Sequence, residues 1–281
     1  MFLIVNCFYT GVDSVFQDLM IPVSIIGGLG LVFGFGLAFA SKRFEVKVDE
    51  RVARVREALP GANCGACGQT GCDSFAECVV AGKCEVNGCP VGGAEVAKKL
   101  GEILGVEAIS AEPKTARVMC GGDSNTCGNK FDYSGIEDCT AAANLHGGPV
   151  SCSYGCVGMG NCVRACPFGA IVVVNGLARV IDKKCTSCGK CVPACPKKII
   201  ELVPRCVEYT VRCSSLDKGS VVKKNCDVGC IGCGKCSRVC SVNAITLKGT
   251  LAKIDPGICN NCGECIKVCP TGSIKRFMCD Y

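Results

Sequence analysis

Between Cys226 and Pro270 the chain carries its most regularly spaced reactive side chains. Cys230, Cys233, Cys236 and Cys240 form a C-x2-C-x2-C-x3-C run, and Cys259, Cys262, Cys265 and Cys269 form a second, closed by Pro270. Soft thiolates suit iron, and a cubane offers four iron corners. In paired runs of this kind the first three cysteines hold one 4Fe–4S cluster and the fourth ligates the other. By that rule Cys230, Cys233, Cys236 and Cys269 take one cluster, and Cys259, Cys262, Cys265 and Cys240 take its partner.

An upstream stretch repeats the pattern. Cys185, Cys188, Cys191 and Cys195-Pro196 form a regular run, whose cluster is expected from Cys185, Cys188, Cys191 and Cys166. The run before it, Cys152, Cys156, Cys162 and Cys166, overlays Cys226, Cys230, Cys236 and Cys240, but Met159 stands where Cys233 would. A thioether is a poor substitute for a thiolate in a cubane. The third ligand is therefore expected from Cys152, giving Cys152, Cys156 and Cys162 with Cys195 reaching over. Cys226 corresponds to Cys152, yet Cys233 makes it redundant.

The elements that must position these thiols are legible between the runs. Residues 170–182 and 244–255 place β-branched residues around a turn, Asn175-Gly176 in the first, and predict two hairpins. Each module thus reads as a ferredoxin-type α+β unit, and the pair as an internal repeat. Val118-Met119-Cys120 resembles Val211-Arg212-Cys213, which extends the repeat upstream. Cys206, Cys213 and Cys279 have no clear partners in this reading, and Cys7 is read as inert.

Composition narrows the alternatives. The 281 residues include 30 cysteines, a level that marks a cysteine-built scaffold. Secreted disulfide proteins are short chains with signal peptides, and zinc ribbons need only two C-x2-C knuckles per metal; the doubled four-cysteine runs exceed that need. With one histidine, His146, the two-histidine ligation of a Rieske centre is excluded; His146, in Leu-His-Gly-Gly, reads as a loop residue. The formal charge is +6, with the basic residues dispersed and aromatics few, so nothing points to nucleic acid. There is no G-x-G-x-x-G after a strand, no P-loop and no nucleophile–base pair. The chain reads as an electron wire, with no catalytic residue of its own.

From Leu19 to Ala40 the chain runs for 22 residues without a charge. At a rise of 1.5 Å these span about 33 Å, enough for a bilayer core. Asp13 and Asp18 stand where a signal peptide would carry positive charge. A transmembrane helix is expected. Lys42, Arg43, Lys47, Arg51, Arg54 and Arg56 follow it, which places everything after Ala40 on the cytoplasmic side. The Gly30-x3-Gly34 spacing offers a close approach to another membrane helix.

Residues 44–59 predict a short helix, 73–81 a second and 94–104 a third. Between them lies PGANCGACGQTGC, in which Cys64, Cys67 and Cys72 form C-x2-C-x4-C, and Cys89-Pro90 follows. Its glycines let the backbone wrap closely around a bulky inorganic core. Cys78 and Cys84 are read as packing cysteines. Residues 113–149 hold Cys120, Cys127 and Cys139, either ligands of an extra cluster or free structural thiols.

A glycine-rich membrane helix, then Phe44-Glu-Val-Lys-Val-Asp49, then PGANCGACGQTGC, a CPVGG close and two-cluster modules resemble the B subunit of the Rnf complex, over nearly the whole chain. The resemblance implies that Cys64, Cys67, Cys72 and Cys89 bind a 4Fe–4S cluster. It implies a component of an ion-translocating ferredoxin:NAD+ oxidoreductase that takes electrons from soluble reduced ferredoxin. Integral membrane and flavin- or NAD-binding subunits would be its partners. It also implies a bacterial inner membrane, crossed once. A rival reading is the iron–sulfur subunit of another membrane redox enzyme, a hydrogenase or formate dehydrogenase; a storage protein for zinc or iron is another.

The expected architecture is α+β. It comprises an extracytoplasmic N-terminus (1–18), a transmembrane helix (19–40), a connector (41–59) and a small 4Fe–4S domain (60–108). A Cys/Gly-rich linking segment (109–151) leads to two ferredoxin-like modules (152–203 and 204–281). Five clusters are expected, and a sixth is left open.

Overall fold

A computed structural model describes residues 3–44, 49–108 and 112–277. The chain divides into two units, residues 1–49 and residues 50–281. The first is a single helix, α1 (Leu3–Arg43), which begins well before the uncharged run and contains Pro22. Its Pro22–Arg43 portion has a mean hydropathy of 2.1 and none of it is buried. Leu31, Phe35 and Leu37 are each more than 70% exposed, so no protein core accounts for their apolarity. A helix this long and apolar matches the expected membrane span.

The second unit starts with three helices, α2 (Glu50–Ala58), α3 (Cys72–Val80) and α4 (Gly93–Leu104). They pack around Val55, Phe75, Ala76 and Leu100, all 2% exposed or less. All three match helices expected from the sequence. α4 stops at Gly105, whose left-handed backbone takes the final carbonyl bond.

The rest is a repeated α+β module. The first contains β1 (Lys114–Val118), α5 (Cys139–Asn144), α6 (Asn161–Arg164), β2 (Ile171–Val174), β3 (Leu177–Val180) and β4 (Ile200–Pro204). The second contains β5 (Tyr209–Val211), α7 (Gly219–Asn225), α8 (Lys235–Val239), β6 (Ile245–Lys248), β7 (Leu251–Ile254), α9 (Glu264–Lys267) and β8 (Ile274–Arg276). Both expected hairpins form: β2 pairs with β3 and β6 with β7. Asn175 and Gly176 both take positive φ, the backbone that a two-residue hairpin turn requires.

A second sheet in each module joins its ends. β1 pairs antiparallel with β4, Val118 opposite Ile200, and β5 pairs with β8, Val211 opposite Ile274. Residues 114–118, assigned from sequence to a linking segment, are thus the opening strand of the first module. The strand is too short and its partner too distant in sequence for periodicity to reveal it.

Each module's core mixes aliphatics with thiols. Leu177, Ile171 and Ile199 surround Cys162, Cys185 and Cys191 in one; Ile245, Leu251 and Ile274 surround Cys230, Cys236 and Cys265 in the other. A fully buried aliphatic contributes about 1.5–3 kcal/mol, so cores this small lean on whatever the thiols bind.

Candidate iron–sulfur sites

The second module brings its two runs together as their spacing requires. Cys230, Cys233, Cys236 and Cys269 line one cavity. The loop between Cys230 and Cys233 turns at Gly232, with φ 66° and a position where any Cβ would lie 2.6 Å from the Thr250 carbonyl oxygen. Only glycine fits there. Cys259 and Cys262 face Cys265, whose thiol is pushed up to about 11 by burial and, after that, by those neighbours and Cys236. Cys240 packs in the same core, and the Ala244 N–H donates to its Sγ at 3.3 Å.

The first module reproduces half of this closely. Cys185, Cys188 and Cys166 all bear on Cys191, pushed up to about 11, mainly by burial. The Ala170 N–H donates to Cys166 Sγ at 3.3 Å, the counterpart of Ala244 and Cys240, and the Ala116 N–H of β1 donates to Cys185 Sγ at 3.4 Å.

The other half departs from expectation. Cys156, Cys162 and Cys195 line one cavity, but the fourth thiol there is Cys139, not Cys152. Burial, followed by the charges of Cys139, Cys195 and Cys191, pushes Cys162 up to about 11. The placement of Cys139 has a local cause. Asp138 caps α5, its carboxylate accepting the N–H groups of Thr140 and Ala141, and so fixes Cys139 as the first helical residue. Met159 packs against the small core of Cys139, Ala142 and Val157. The fourth thiol of this cavity thus comes from 20 residues upstream of Met159. No spacing rule signals this, because Asp138-Cys139 reads only as a helix start.

Cys152 lies elsewhere. It lines a separate cavity with Cys120, Cys127, Cys213 and Cys226, between the two modules. Cys213, read as having no clear partner, thus has thiol neighbours, while Cys226 stays outside the cavity that Cys233 lines, as its redundancy there required. Cys206 is exposed, its Sγ 2.7 Å from Glu112 Oε1. Cys279 lies outside the described residues, and the side chain of Cys7 likewise.

In the small domain Cys64 and Cys67 bear on Cys89. Burial raises the Cys89 thiol above its ordinary value, against hydrogen bonds from the backbone of Gly92 and Val91. Cys67 and Cys72 share the Cys89 core. Asn63, at φ 45°, accepts the Cys72 N–H on its side chain at 2.8 Å and ties the loop to the start of α3. Cys78 and Cys84, expected as packing thiols, are joined by a disulfide, and Gln69 Nε2 donates to Cys84 Sγ at 3.5 Å. His146 sits in a loop at φ 49°, as expected.

The donor sets fit polynuclear iron–sulfur groups. Among the described residues no three His, Cys, Asp or Glu side chains converge as one bound ion demands. The thiols instead ring cavities, and backbone N–H groups point at their sulfurs, the outer contacts that tune such groups.

Comparison with known proteins agrees. Residues 59–91 match a family profile described as a putative Fe–S cluster, and residues 152–200 and 229–273 match two described as 4Fe–4S dicluster domains. The chain is 49% identical, over 91% of its length and 77% of the relative's, to the B subunit of the Na(+)-translocating ferredoxin:NAD(+) oxidoreductase complex of Acetobacterium woodii. It is 44% identical to the B subunit of the proton-translocating ferredoxin:NAD(+) oxidoreductase complex of Clostridium ljungdahlii, over 88% of each chain. With the B subunit of the ion-translocating oxidoreductase complex of Methanosarcina acetivorans it shares 43% identity, over 84% of this chain and 90% of the relative. With thiol rings, a membrane-length helix and identity sustained over most of each sequence, the chain belongs to the B-subunit family of the Rnf complex, the iron–sulfur electron-transfer subunits of ion-translocating ferredoxin:NAD+ oxidoreductases.

Proposed function

We propose that this chain is a membrane-anchored polyferredoxin passing electrons from reduced soluble ferredoxin toward integral membrane partners, with flavin and NAD held by other subunits. Five 4Fe–4S sites have these ligands: Cys64, Cys67, Cys72 and Cys89; Cys139, Cys156, Cys162 and Cys195; Cys166, Cys185, Cys188 and Cys191; Cys230, Cys233, Cys236 and Cys269; Cys240, Cys259, Cys262 and Cys265. When bound, such clusters supply one-electron centres whose potentials follow burial and hydrogen bonds to sulfur.

The observation that carries this reading is the order in which thiol sets face one another. Cys265 of the last set lies within electrostatic reach of Cys236. In the first module Cys162 reaches Cys191, and Cys188 reaches Cys64 of the small domain. Within each module the two sets thus face one another, and a set of the first module adjoins the domain that follows the membrane helix in sequence.

Iron, acid-labile sulfide and zinc per chain, measured on anaerobically purified protein, test the reading. At least roughly 20 iron and 20 sulfide is the expected result; zinc with little sulfide overturns it. For topology, the expected side is cytoplasmic, from Lys42 and Arg43 at the end of α1. A reporter fused after Tyr281 checks this, and a periplasmic signal refutes it.

A further inference from the structure

The cavity between the modules gathers five thiols from segments far apart in sequence: Cys120, Cys127, Cys152, Cys213 and Cys226. Four of them obey the internal repeat. Cys120 follows β1 by two residues and Cys213 follows β5 by two, while Cys152 and Cys226 each stand four residues before the first regular cysteine of their module.

Their hydrogen bonds obey it too. Cys120 is bonded to the backbone of Cys156 and of Gly122; Cys213 is bonded to the backbone of Cys230 and of Ser215. Cys152 is bonded to the backbone of Tyr154, and Cys226 to that of Val228, in each case two residues on. The two modules therefore present matching thiol pairs to one space. Cys127 has no counterpart in the repeat; it is hydrogen-bonded to Cys226.

The walls of the cavity are stitched by the residues next to these cysteines. Ser214 Oγ donates to the Met119 carbonyl at 2.8 Å, and the Asp227 N–H donates to the Thr126 carbonyl at 2.9 Å. Phe277 of the second module lies 4.0 Å from the Arg117 guanidinium of the first. At Gly122 a Cβ would come 3.0 Å from Cys226 Sγ, so the loop is kept bare beside that thiol.

We propose that Cys120, Cys152, Cys213 and Cys226 hold a sixth 4Fe–4S cluster, two ligands from each module, at the junction between them. Transfer of a preformed cluster from a thiolate-bearing carrier breaks four Fe–S bonds to the carrier and forms four to these cysteines, whose protons pass to the departing thiolates, with no change of oxidation state. The proposal rests on the electron-relay reading and extends it across the boundary between modules. Cys213 bonds the backbone of Cys230, and Cys120 bonds that of Cys156, so the junction adjoins one set of each module. A cluster there would link the sets of the second module to those of the first.

Iron and sulfide counts on the anaerobically purified full chain test this, with visible absorbance as an independent readout. The wild type is expected to hold roughly 24 of each. Cys152→Ser, Cys213→Ser and Cys226→Ser are each expected to lose about one sixth of the iron and of the charge-transfer absorbance, and Cys127→Ser to lose none. A wild-type count near 20 overturns the sixth site and leaves the relay reading standing, whatever the variants do. Little iron or sulfide in the wild type overturns both. Full iron in Cys213→Ser with loss in Cys127→Ser overturns the ligand set.

Discussion

The side chain of Asn161 accepts the backbone N–H of Cys139 at 2.8 Å, across 22 residues of sequence. Through its amide nitrogen Asn161 also donates to Asp138 at 2.7 Å, so one residue at the start of α6 holds both the cap and the first residue of α5. The next residue, Cys162, faces the same cavity as Cys139. Asn161 is thus a positioning residue for a thiol pair.

Asn161→Ala should therefore loosen Cys139 without touching any sulfur. Each lost hydrogen bond costs about 0.5–1.5 kcal/mol. The expected outcome is faster loss of about four irons under chelator challenge, with the remaining iron released at the wild-type rate. Uniform release of all iron at the wild-type rate would remove the positioning role.

Cys139→Ser should cost one cluster outright. Because Met159 occupies the place that Cys233 holds in the repeat, adding Met159→Cys to that variant should restore the lost iron. Iron per chain in the single and double variants decides this, and failure of the double variant to recover would separate the two positions.

Gly158 and Gly232 are repeat partners, each at positive φ with a would-be Cβ 2.6 Å from a hairpin carbonyl, that of Gly176 or Thr250. Alanine at either should destabilise by about 1–3 kcal/mol through backbone strain. The expected readout is a lower thermal midpoint for both variants, and an unchanged midpoint would mean that the turn relaxes.

The Cys78–Cys84 disulfide stands beside the small domain's thiol set without belonging to it. Cys78→Ser/Cys84→Ser is expected to keep the full iron count and to lose roughly 2 kcal/mol of stability. Alkylation of the denatured wild type without reductant should leave both cysteines unmodified. Labelling of either would show that the pair is open.

Local spacing carried much of the assignment. A C-x2-C-x2-C loop is short, so three of its thiols must face one centre wherever the loop lies, and Cys185 to Cys191 and Cys259 to Cys265 needed no tertiary information. The hairpins were legible for the same reason, since Asn175-Gly176 specifies a turn within two residues. The uncharged run of α1 was legible from length and hydropathy alone.

What only the tertiary structure decided are the pairings across long loops. β1 meets β4, and the disulfide closes between two residues read as mere packing. Cys139 rather than Cys152 completes the first module's set, because a capped helix start and Asn161 carry it there. Cys120 and Cys213 become neighbours because strand pairing in each module delivers its last residues to one junction. Sequence spacing constrains a thiol only over the few residues that the chain must bridge. Beyond that distance packing and backbone hydrogen bonds choose the partner.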